Sequence, residues 1–141
     1  MVATYKAEEE ATMITYDSGA DRHYMSEKDR EKLGLPILRI SSKKVAVADG
    51  DTCDGKYVSQ LPFPHLSQRA TEANMFEQFP HSLMSVGQTA DDGNVSIFTK
   101  EGVSVYKEAD VLITCKGEPM LIGKRDERGR YRIPLQQNRD Q

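Results

Sequence analysis

The chain has 141 residues, enough to bury one core and short of the length that usually divides into two. Its formal net charge is −3, its Lys and Arg are scattered and it has no tryptophan, which argues against the basic, aromatic-studded face of a nucleic-acid binder. No apolar run approaches the ~20 residues of a membrane span, and the acidic start MVATYKAEEE is unlike a signal peptide.

Cys53 and Cys115 stand far apart with no zinc-type spacing around them, so reduced thiols are expected and neither a disulfide framework nor a metal is suggested. The expectation is a soluble, cytoplasmic protein with no nucleic-acid and no membrane partner. Its ends look cut from something longer, with flexible extensions at 1–11 and 136–141 around a domain at 12–135.

In chain order, residues 12–16 are rich in β-branched and aromatic types and predict a strand that runs into the turn sequence Asp17-Ser18-Gly19-Ala20. Ser26, followed three residues later by Asp29, reads as a helix start. Gly34 and Pro36 read as its stop, predicting a helix over 27–33. Residues 45–48 and 57–61 are strand-like around the turn dipeptides Asp49-Gly50 and Asp54-Gly55, which predicts a hairpin. The proline-bearing stretch 62–80 reads as loop with one strand around Asn74-Met75-Phe76.

Residues 82–90 place Leu83, Met84 and Val86 at near-helical spacing and predict a second short helix. Residues 95–98 and 103–106 alternate as a half-buried hairpin does. Further short strands are expected at 112–113, 120–122 and 131–133. Met75, Met84 and Met120 read as core fillers, and Leu83 and Val86 as core. Many short strands with one or two short helices make an all-β fold.

Asp-Ser-Gly alone is an ordinary turn triplet. What gives it weight is the order: apolar strand, DSGAD, helix, glycine-bearing hairpin, and later Ser82-Leu83-Met84-Ser85-Val86-Gly87-Gln88 with a closing Gly93. In this order the chain resembles the protease of copia-type LTR retrotransposons, a branch of the retropepsins, over roughly residues 12 to 133. It departs from that pattern in Tyr16, where an aliphatic residue is usual, and in Asp21-Arg22-His23-Tyr24-Met25, which keeps the family's His with a displaced Met.

The resemblance implies a retropepsin-like closed or partly open barrel that acts as a homodimer with one active site. Asp17 from each chain would meet its copy, share one proton and activate a water for peptide hydrolysis, with no cofactor and no metal. Ser18, Gly19, Ala20 and Asp21 would support the active-site loop. Ala48, Asp49, Gly50 and Asp51 would form a flap over an extended substrate, the alternative being a plain exposed hairpin.

The implied substrate is polypeptide, including the chain's own polyprotein, and a virus-like particle is the implied setting. A second reading is a catalytically silent dimerisation or peptide-binding module. Asp21 is expected to pair with His81, whereas His23 reads as structural and His65 is assigned no role.

Overall fold

The computed structural model describes residues 11–41, 44–46 and 52–136. They form a mainly-β fold with a few short helices, as expected from the spacing of turns and β-branched residues. The strands of the main sheet are β1 (Thr15–Asp17), β2 (His23–Met25), β3 (Ile37–Ile40), β4 (Lys44–Ala46), β5 (Thr52–Gln60), β6 (Glu72–Phe76) and β7 (Leu83–Ser85). They pair in the order β1-β7-β2-β6-β5-β3, with β4 on β5. Among the described residues two hairpins pair only with themselves: β8 (Asn94–Thr99) with β9 (Gly102–Lys107), and β10 (Lys124–Arg125) with β11 (Tyr131–Arg132).

The closed form of the expected barrel is not what one chain makes. Among the described residues β1 and β3 end the sheet unpaired with each other, because neither separate hairpin adds a strand between them. The sheet is therefore open, and its β1 edge carries Asp17.

Helix α1 (Glu27–Leu33) forms where its caps predict. The Ser26 hydroxyl accepts from the Asp29 amide, and Gly34 ends the helix at φ 64°, a left-handed value that costs glycine little. Arg30 and Glu27 both bind the Tyr57 hydroxyl, and their own ion pair is 2.8 Å long, so α1 is fastened to β5. Helix α2 (Gln68–Thr71), capped by Ser67, lies in the stretch expected to be loop and strand alone.

The expected helix over 82–90 is corrected in part. Leu83, Met84 and Ser85 form β7, parallel to β1, and only Val86–Asp91 is helical, as α3. The Ser85 side chain caps that helix by accepting from the Gln88 amide. The hairpin at 95–106 forms as predicted, although β9 is exposed along its whole length. The strands expected at 112–113 and 120–122 do not form. Among the described residues no partner strand faces Leu112 or Met120, and these side chains are 94% and 95% exposed.

One core packs Met25, Leu35, Tyr57, Leu61, Ala73, Met75 and Met84, with Ile14, Tyr16, Phe63 and Leu66 against it. A second joins Ala20, Tyr24 and Phe76, with Phe79 and Leu83 against it. The three rings Tyr24, Phe76 and Phe79 lie 5.0 to 5.4 Å apart, two of the pairs edge-on, an arrangement favoured by the ring quadrupole. Met75 and Met84 fill the core as expected, and Met120 does not. Ala20 makes the second core part of the candidate site, because it is the last residue of the DSGA turn.

Candidate active site

β1 reaches Asp17 as its last residue, and its parallel register sets Asp17 beside Ser85. The turn that follows folds back on the carboxylate: the Gly19 amide donates to Asp17 Oδ1 at 2.7 Å. A Cβ on Gly19 would stand 3.2 Å from that same oxygen, tighter than ordinary contact, so glycine lets the amide close on the carboxylate. The Ala20 amide donates to the Asp17 carbonyl at 3.4 Å, and Ala20 is buried while Ser18 and Gly19 are exposed. Asp17 is thus half-buried at the rim of the sheet, with one oxygen engaged by backbone.

What holds the turn is a buried polar clasp beneath it. The Ser85 hydroxyl donates to the Ala20 carbonyl at 2.7 Å, and the Ser85 amide donates to His23 Nδ1 at 2.8 Å. Because Nδ1 accepts, the proton sits on Nε2, which donates to the Ala70 carbonyl at 2.6 Å. His23 is fully buried, and burial pulls its pKa down to about 4, against the smaller upward pull of the Ala70 carbonyl. The ring is therefore a neutral structural bridge between β2, β7 and α2.

Gln88 completes the clasp: its Oε1 accepts from the His23 amide at 2.8 Å, and its Nε2 donates to the Arg69 and Glu72 carbonyls. The run Ser85-Val86-Gly87-Gln88 was visible in the sequence as a motif. The roles of Ser85 and Gln88 were not, because they depend on a register that brings residues 20–23 beside residues 85–88.

Asp21 does not meet His81. The antiparallel register that pairs Tyr24 with Leu83 puts Asp21 towards Val86, whereas His81 falls near Ser26 at the other end of β7. The Asp21 carboxylate instead accepts from the Tyr24 hydroxyl, three residues on. Burial, aided by that carboxylate, pushes the Tyr24 phenol well above its ordinary range. Arg22 lies 3.8 Å from Asp91, which is held more closely, at 2.7 Å, by Arg125 of the β10–β11 hairpin.

That hairpin lies across α3. A Cβ on Gly87 would come within 2.8 Å of both Arg125 Nη2 and the Gly129 carbonyl, so glycine permits the approach. An open cleft of about 750 Å³ between the hairpin and the DSGA turn touches Gly19, Asp21 and Asp91. On the other side, a more apolar cleft of about 560 Å³ runs past Ser18, Val86 and Phe98. There the Tyr16 ring stacks on Phe98 at 5.7 Å, and its hydroxyl bonds the Ser96 hydroxyl at 2.7 Å.

Of the residues expected to form the site, Asp17, Ser18, Gly19, Ala20 and Asp21 sit together on one turn. Ala48, Asp49, Gly50 and Asp51 lie outside the described residues. The paired strands β4 and β5 flank them, with Lys44, Val45 and Ala46 opposite Asp54, Cys53 and Thr52. Among the described helices none is long and apolar enough to cross a membrane. Comparison of the chain with models of protein families, with curated proteins and with solved structures returned no match.

Proposed function

We propose that the chain is one half of an aspartic endopeptidase that acts as a homodimer of retropepsin-like type. The observation that carries this reading is the state of Asp17: a half-exposed carboxylate at the end of an edge strand, gripped by the Gly19 amide on a turn riveted from below by Ser85. Such a group is held in place yet left open on one side, as a catalytic carboxylate must be.

One carboxylate per chain cannot serve as acid and base together. Two copies meeting at this turn would bring two carboxylates close enough to share one proton, one activating water and the other polarising the scissile carbonyl. The exposed Ser18 at the tip of the turn supports the reading, since it is free to face a second copy. The substrate is an extended polypeptide, with the chain's own polyprotein as the natural candidate. The flap would be carried by the paired strands β4 and β5 that flank residues 48–51.

The test is turnover of a peptide library by wild type and by Asp17→Asn. The reading predicts cleavage by the first and a loss of at least about a thousandfold in the second, the scale on which removing a catalytic group acts. Equal cleavage by both would remove Asp17 from the chemistry. A stable dimer with no cleavage by either would favour a silent peptide-binding module.

A further inference from the structure

A groove of about 370 Å³ runs along the sheet from α3 and β2 towards β3, away from the Asp17 turn. Three guanidinium-bearing side chains line it: Arg22, Arg39 and Arg69. Three carboxylates line it too, and two of them, Glu72 and Asp91, have an arginine partner close by. Glu72 is bound to Arg39, while Asp92 accepts from the neutral Ser67 hydroxyl, which orients its carboxylate and leaves its charge in the groove. Asp91 belongs first to Arg125, outside the groove, leaving only a 3.8 Å approach to Arg22. Among the described residues Arg69 pairs with no carboxylate at all, and its side chain is exposed. The wall therefore offers Arg69, which no carboxylate holds in an ion pair, and Arg22, held only by its 3.8 Å approach to Asp91, as its two available forks, beside the amide-bearing Asn74 and Gln88 and within the same groove as Asp92.

The sheet register sets the distance from the candidate catalytic group. Asp17 is level with Ser85, Ser85 with Arg22 when the Tyr24–Leu83 pairing is continued, and Arg22 with Glu72 when the His23–Ala73 pairing is continued. One transverse row thus leads from Asp17 through β7 and β2 to β6. At about 4.8 Å per strand, Arg22 is about 10 Å from Asp17 and the middle of the groove about 14 Å. An extended peptide advances about 3.3 Å per residue, so the groove receives a side chain three or four residues from the bond at Asp17.

We infer that this groove is an anion-selecting subsite, taking an Asp or Glu side chain of an extended peptide three or four residues from the scissile bond through Arg22 and Arg69. The inference rests on the protease reading for its distance to the scissile bond, but binding at the groove can be measured without turnover. Arg suits the task because its planar fork matches a carboxylate with two parallel hydrogen bonds.

The test titrates Asp17→Asn protein with two pools of random decapeptides, one with a fixed central Glu and the other with Gln there, read by fluorescence anisotropy and by the arginine Nε–H resonances. The expected result is about fivefold tighter binding of the Glu pool at low salt, with the Arg22 and Arg69 resonances moving. In Arg69→Glu the preference disappears or reverses, while the circular dichroism spectrum stays that of the parent. Equal binding of the two pools, or a Glu preference that survives Arg22→Gln and Arg69→Glu together, would overturn the subsite. Digestion of the same pools by wild type reports separately on the protease reading, because it asks only whether Asp17 is required.

Discussion

At the scale of single residues, the candidate site depends on a histidine that does no chemistry. His23 bridges the Ala70 carbonyl and the Ser85 amide, and Ser85 in turn holds the Ala20 carbonyl of the DSGA turn. Its pKa falls from 6.5 to about 4 on folding because burial opposes the charged ring. The unfolded chain therefore takes up the proton first as pH falls. The stabilisation is fully present above pH 6.5 and is lost progressively towards pH 4, by about 3 kcal/mol over the whole window. Urea midpoints measured from pH 7.5 to 4.5 should fall for wild type, and His23→Gln, less stable at neutral pH, should show a shallower fall over that range. Parallel pH profiles would remove His23 from the acid response. Ser85→Ala strips a fully buried hydroxyl from Ala20 and from the Gln88 amide, and should cost about 1–3 kcal/mol in the same assay.

At the scale of elements, what was legible in the sequence is what carries its own punctuation. Helix α1 could be read from Ser26 and Gly34, and the β8–β9 hairpin from its alternation and two-residue turn. Strand β7 could not, because a three-residue strand flanked by β1 and β2, with Met84 and Ser85 both buried, loses its alternation. It also runs into α3 without a breaker, so Leu83, Met84 and Val86 imitate a helix face. Leu112 and Ile113 fail in the opposite sense: they have strand-forming character but, among the described residues, no strand to pair with.

The turn carrying Asp17 was legible as a turn, whereas the clasp under it required hydrogen bonds between residues 62 and 65 positions apart, set by mixed parallel and antiparallel registers. Gly87 is another element-level feature that spacing did not explain, and the overlying hairpin does. Gly87→Ala pits a methyl group against the Gly129 carbonyl, and should lift the β10–β11 hairpin from α3 at a cost of about 1–3 kcal/mol. Faster tryptic cutting at Arg125 and Arg128 would show it, and an unchanged digestion rate would mean that the hairpin is not held there.

At the scale of the whole molecule, a single chain presents an open sheet with its candidate catalytic carboxylate on the outer strand. Among the described residues two hairpins pair only with themselves, and a small two-stranded hairpin is marginal in water without further packing. Phe98, Val103, Leu121 and Ile122 are all exposed on or near these appendages. A homodimer meeting at the Asp17 turn would complete the site and give part of this apolar surface a covering.

The account's central claim is that each site needs one Asp17 from each of two chains. It is tested most directly by mixing. Wild-type chain and Asp17→Asn chain are unfolded together, refolded at fixed total concentration in varied proportion, and assayed on one peptide substrate. If the site is shared, only dimers with two intact aspartates act, so activity falls as the square of the wild-type fraction, to about one quarter at equal parts. A fall in direct proportion, to about one half, would mean that each chain carries a complete site of its own and would contradict the account.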